Sequence, residues 1–183
     1  MRPAGSVVPR YASAMQQALR VFRWLGLALA LALAGCAVLN PPPPLPGQSE
    51  ADALRRFGTP TARYPMPDAV SRLEFATGPY GRETWMVDLD AGGRIIVARQ
   101  VLNETNFADV QARAAGMSRD ELLRTLGTPG ERRHGGWQGG QVWSWRYPTN
   151  DCLWFQVSIG DDGRVRDGAY GTDPRCDARS DRN

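Results

Sequence analysis

Residues 116–129 read GMSRDELLRTLGTP, and the same phrase stands 69 positions earlier as GQSEADALRRFGTP at residues 47–60. Both copies open on Gly-x-Ser, carry Leu-Arg in the middle and close on Gly-Thr-Pro. Each predicts a short helix whose ends are written in the sequence. Ser49 with Asp52, and Ser118 with Glu121, stand at the spacing of a capping box, in which a side-chain oxygen accepts otherwise unpaired N–H groups. Gly58 and Gly127 sit where a residue with positive φ stops a helix, and Pro60 and Pro129 prevent its resumption. Leu54 and Phe57 in one helix, and Leu122, Leu123 and Leu126 in the other, give each an apolar stripe to bury.

Downstream the repeat continues with an offset of 70. Leu73 and Phe75 match Trp143 and Trp145, Trp85 and Val87 match Phe155 and Val157, and Gly93-Arg94-Ile95 matches Gly163-Arg164-Val165. Alternation predicts three strands in each unit, near 70–77, 83–89 and 94–101 in the first and near 141–147, 153–159 and 164–169 in the second. Phe107 and Val110 mark a further short helix over 106–113. The expected fold is α+β: two tandem units, each a helix or helix pair packed on a three-stranded antiparallel sheet, because such a sheet must bury its apolar face. A repeat of this length is one supersecondary unit used twice.

Ahead of the repeat the chain changes character. Trp24 to Ala34 is almost wholly apolar, follows Arg20 and Arg23, and runs into Leu33-Ala34-Gly35-Cys36, the layout of a secretory signal. Even 24–39 is only 16 residues, short of the roughly 20 that cross a bilayer. The tetrapeptide Leu-Ala-Gly-Cys resembles the lipobox of bacterial lipoproteins, which implies that Cys36 is lipidated and begins the mature chain. Ala37 then implies the periplasmic face of the outer membrane as the address. A start at Met15 would give a signal of ordinary length. The prolines of 41–46 follow as a stiff polyproline tether. The expected organisation is a signal over 1–35, a tether over 36–46, units over 47–104 and 105–176, and a tail over 177–183.

Charge excludes one class of partner. The chain of 183 residues has 22 arginines, no lysine, and a formal charge of +3. Removing the four arginines before residue 36 leaves 18 against 19 acids, so a mature chain gives no electrostatic reason to bind nucleic acid.

The short helix around Phe107, Gly116-Met117-Ser118, the apolar helix, Gly127-Thr128-Pro129, the aromatic strand and the hairpin from Val157 to Val165 together resemble the SmpA/OmlA (BamE-like) family of outer-membrane lipoproteins. The resemblance covers 106–170 well and 47–101 less well. It implies a non-catalytic binding or scaffold component of outer-membrane protein assembly, anchored by lipid and working through a protein partner. Two tandem units are also similar in architecture to the β-lactamase inhibitory protein, which implies as an alternative a protein that binds or inhibits a periplasmic enzyme.

Catalytic chemistry finds few residues to use. Of three cysteines, Cys36 goes to lipid, and Cys152 and Cys176 fall close enough across a hairpin to form a disulfide. His134, the single histidine, stands in a Gly-rich loop with no nucleophile motif beside it. Asp88-Leu89-Asp90 and Asp161-Asp162-Gly163 read as hairpin turns, since a calcium loop would need a carboxylate where Arg99 stands. No catalytic residue, metal, cofactor or small-molecule substrate is expected. Strand parity puts Trp85, Trp143 and Trp145 toward the core but Trp154 on the opposite face with Arg146, Arg164 and Arg166. Those four, with Trp137 in the Gly-rich loop, have the composition of a partner surface; the same parity also fits a Trp covered by the stems of neighbouring arginines.

Overall fold

The computed structural model of the chain describes residues 42–68, 70–77, 81–135 and 139–176. Their elements run α1 (Glu50–Phe57), β1 (Ala62–Pro65), β2 (Ser71–Ala76), β3 (Thr84–Leu89), β4 (Ile95–Gln100), α2 (Glu104–Arg113), α3 (Arg119–Leu126), β5 (Glu131–His134), β6 (Gln141–Trp145), β7 (Leu153–Ile159) and β8 (Val165–Thr172). Two antiparallel sheets result, ordered β1-β2-β3-β4 and β5-β6-β7-β8, so the protein is α+β with two sheet units.

Each sheet has four strands rather than the three expected. The additional members are β1 and its repeat β5, which are short and carry no apolar alternation: β5 is Glu-Arg-Arg-His. Backbone pairing holds them, with Ala62 opposite Glu74 and Glu131 opposite Ser144. Strands β1 and β5 start 69 residues apart, β2 and β6 start 70 apart, so the inserted residue lies in the Gly-rich turn between β5 and β6.

The repeated phrases recur because they bond to one another. The Ile95 N–H donates to the Gln48 carbonyl at 2.7 Å and the Val165 N–H donates to the Met117 carbonyl at 2.9 Å. Arg94 and Arg164 each reach back to the first glycine of the phrase, at the Gly47 carbonyl (3.2 Å) and the Gly116 carbonyl (2.7 Å). Gly-x-Ser and Gly-Arg-Ile/Val are thus two halves of one clasp that joins the start of a helix to the last strand of its sheet. In α1 the Ser49 N–H donates to the Asp52 carboxylate at 2.8 Å, whereas in α3 the Ser118 hydroxyl accepts from the Glu121 N–H at 3.2 Å. Both helices end on a glycine N–H that donates back to the Leu54 or Leu123 carbonyl, each at 2.8 Å.

Strand β3 shows how the layers stack. Val87 and Leu89 join Ala53, Leu73, Phe75 and Ile95 in a core beneath α1. Met86, one residue out of phase and therefore on the other face, belongs to the core of the second unit with Leu122, Leu126, Trp143 and Phe155. The first sheet is consequently buried on both faces, by α1 on one side and by the second unit on the other. The contact on that second side is the C-terminal end of α3. An added Cβ at Gly127 would lie 2.7 Å from Thr84 Cγ2 and 3.0 Å from Glu74 Cδ, whereas one at Gly58 would meet nothing within 4 Å.

That asymmetry separates two equivalent glycines. Gly58 and Gly127 have the positive φ that the sequence predicts, +83° and +79°, and their ψ of −148° and −169° puts them in a region open to glycine alone. Gly58→Ala should destabilise by about 1–3 kcal/mol from backbone strain. Gly127→Ala should lose a further ~1–3 kcal/mol, because the methyl overpacks the junction. Urea midpoints of the two variants provide the check, and equal losses would mean that the junction is not closely packed.

Candidate functional site

The outward face of the first sheet is spent on the junction. Glu74 has no exposed surface. Its carboxylate accepts from the Thr61 hydroxyl at 2.8 Å, the Tyr64 hydroxyl at 2.5 Å and the Thr128 N–H at 3.0 Å, and the last donor belongs to the other unit. Burial, with the Glu74 carboxylate beside it, pushes the Tyr64 hydroxyl well above its usual range, which keeps it a donor. Arg72 grips Asp88 through two nitrogens at 2.6 and 2.8 Å and donates its third to the Arg124 carbonyl at 2.7 Å, satisfying an open carbonyl in the last turn of α3.

The outward face of the second sheet was expected to present Trp154 and three arginines. Trp154 does sit on that face, but only 2% of it is exposed. Two guanidinium groups cover the indole, Arg133 at 5.1 Å and Arg146 at 4.9 Å from the ring centroid. Gly171 lies opposite Trp154 in the register, where a Cβ would come within 3.1 Å of the indole nitrogen. Arg146 is itself buried at 6% exposure and is held by Asp173 through contacts of 2.6 and 2.9 Å. Burial raises the Asp173 carboxyl, but hydrogen bonds from Arg146 and the Arg175 N–H, with both positive charges, outweigh it and hold the carboxyl below its usual value.

What brings Asp173 there is the chain end. Cys152 and Cys176 form a disulfide across 24 residues with their Cα atoms 5.9 Å apart, as the sequence predicts. The Asp173 N–H donates to the Cys152 carbonyl and the Cys176 N–H to the Asp173 carbonyl, both at 2.9 Å. The segment that follows β8 therefore folds back as a plug over Arg146 and Trp154.

Arg164 and Arg166 are exposed, yet they do not join Trp154. Arg164 is turned to the Gly116 carbonyl at the head of α3, and Arg166 pairs with Asp162 in the β7–β8 turn at 2.8 Å. The expected surface of Trp154, Arg146, Arg164 and Arg166 thus does not form as one exposed patch. Trp137 and Cys36 lie outside the described residues. Among the described residues no group of His, Cys, Asp and Glu could hold a metal, and no helix is long and apolar enough to cross a membrane.

An open concavity remains in the first unit. A cavity of about 200 Å³ is lined by Arg56, Phe57, Thr59, Phe75, Thr77 and Trp85, among others. Phe57 stacks on Trp85 with centroids 5.2 Å apart and lies 5.1 Å from Phe75. The Trp85 indole N–H donates to the Glu83 carboxylate at 3.1 Å.

No family model matches the sequence, and no curated protein matches it. Among solved structures the chain is similar to a cysteine-rich secretory protein from Staphylococcus aureus, at 13% identity and a TM-score of 0.27, covering 74% of this chain. The chain spans 48% of the length of that protein. An overlap this loose carries no argument about fold or function.

The geometry makes Trp154 a structural residue. Trp154→Ala should cost about 3–5 kcal/mol of stability, as for other buried rings. Asp173→Ala should cost about 1–3 kcal/mol by removing the 2.6 Å counter-charge of the buried Arg146, with Glu131 left at 3.8 Å. Because the folded-state pKa of Asp173 is depressed, this stabilisation is present above an unfolded-state value near ~3.9 and is lost as pH falls below it. Denaturation of wild type and Asp173→Ala at pH 7 and pH 3 tests both statements: the difference between them should shrink in acid.

Proposed function

We propose that the chain is a non-catalytic lipoprotein, anchored through Cys36 at the periplasmic face of the outer membrane, that acts as a binding or scaffold component of envelope assembly. The observation that carries this reading is Leu33-Ala34-Gly35-Cys36 placed directly behind the apolar run from Trp24 to Ala34. The Cys152–Cys176 disulfide supports it, because structural disulfides belong to oxidising compartments such as the periplasm. So does the layout of the chain: the folded body starts at residue 43, a few prolines beyond the cysteine. At ~3.1 Å per residue the tether from Cys36 to residue 43 spans about 22 Å at most, close enough to keep the body beside the bilayer. Helices packed on antiparallel sheets, in tandem, support a BamE-like unit with a fourth strand added at one edge.

Mass spectrometry of detergent-extracted protein should find an acylated Cys36 at the N-terminus. Cys36→Ser should move the protein out of the outer-membrane fraction. A chain that retains the residues before Cys36 contradicts the anchor. Mild extraction and co-purification then separate the roles, with barrel-assembly components supporting the scaffold reading and a single soluble enzyme supporting the inhibitor alternative.

A further inference from the structure

The two units cover the inner faces of their sheets differently. In the second, α2 and α3 share the face. Phe107 of α2 is fully buried and stacks on Phe155 with centroids 4.3 Å apart and planes 10° apart. Tyr147 meets the same ring edge-on at 5.1 Å. The 70-residue offset carries Phe155 to Trp85 and Tyr147 to Thr77. A helix equivalent to α2 would occupy residues 35–44, and the described part of that stretch is Pro42-Pro43-Pro44, which has no helical structure.

The first unit compensates in part. Phe57, where α3 has Leu126, stacks on Trp85. The exchange of Tyr147 for Thr77 removes a ring from the rim, and Trp85 stays part-exposed. The 200 Å³ cavity opens at this place, between the C-terminal end of α1 and the β2–β3 hairpin. It falls below the roughly 300–1,000 Å³ of small-molecule pockets and suits one large side chain.

We infer that this groove docks a short amphipathic helix of a partner protein, which inserts one aromatic side chain against Trp85 as Phe107 packs against Phe155. The chain contains the template for the interface, since α2 on the second sheet is the same contact made within one molecule. Helix-in-groove recognition uses such apolar anchors, and a single buried ring carries much of the affinity. Arg56 and Glu83 at the rim give the helix one cationic and one anionic neighbour, favouring a partner with charges of both signs beside its anchor. The inference deepens the binding role proposed above and rests on it for the existence of a partner; the groove's complementarity is measured separately from lipidation and co-purification.

The probe is a capped peptide of residues 103–114 of this chain, titrated into the full-length protein while the Trp85 indole N–H is followed by NMR, assigned with Trp85→Phe. The expected result is a saturable shift of that resonance. The same peptide with Phe107→Ala should bind at least tenfold more weakly. Thr59→Arg, at an exposed position on the rim, should weaken binding of the unaltered peptide at least tenfold with no change in thermal midpoint. Glu83→Lys serves as a second rim variant if Thr59→Arg disturbs folding. No shift at Trp85 with peptide on the order of 1 mM, or shifts confined to Trp143 and Trp145 through exchange with α2, would overturn the inference. Self-association of the free protein that Thr59→Arg abolishes would assign the groove to a second copy and overturn it equally.

Discussion

The carboxylate of Glu74 is buried with no cation bonded to it among the described residues, and the structure is arranged around its needs. A carboxyl group out of water is tolerated only when its polar atoms have hydrogen-bond partners. Thr61 and Tyr64 supply two donors from the same unit, and the Thr128 N–H supplies the third from the turn that ends α3. That turn can approach because Gly127 has no side chain to collide with Thr84. Arg72 adds a second tie by holding Asp88 and the Arg124 carbonyl together. Removing the second unit would thus expose a half-satisfied carboxylate, an arginine with an unused donor, and Met86. The first unit is built to be covered.

The second unit has diverged at the same positions. Where β2 has Arg72 and Glu74, β6 has Val142 and Ser144, and where β3 has Asp88, β7 has Ser158. Nothing in that set could hold another helix turn as the first sheet does. Trp154, Arg133, Arg146 and the disulfide-pinned Asp173 close the face with the protein's own side chains. Tandem repeats commonly finish with a terminal unit whose outer face is modified against further stacking, and the second sheet fits that description. The open cavity lies at the other end of the stack, on the first unit, where the described Pro42-Pro43-Pro44 has no helical structure.

Among the described residues, six of the eight strands and the helices α1, α2 and α3 could be read from the sequence, because caps, glycine stops and alternation are local. Strands β1 and β5 could not, since ERRH has no alternation and pairs only because β6 offers an edge; the signal available was the 69-residue offset itself. Parity placed Trp154 on the correct face, but parity states a direction and not what lies over it. Glu74 and Asp173 belong to no motif, and Asp88 read as part of a hairpin turn. Their roles depend on partners such as Thr128, 54 residues from Glu74, and Arg146, 27 residues from Asp173, and no local pattern records such pairings. The Cys152–Cys176 pair was legible because a hairpin count brings the two near each other.

Helix α3 and its turn bind the two sheets into one cooperative body. Native-state hydrogen exchange under increasing denaturant, read at Leu73 to Phe75 in β2 and at Trp143 to Trp145 in β6, tests it most directly. Both strands should open with one shared free energy, and Glu74→Gln, which places an amide donor among three donors, should lower both by the same amount. Independent opening of the two sheets, with Glu74→Gln felt in β2 alone, would contradict it.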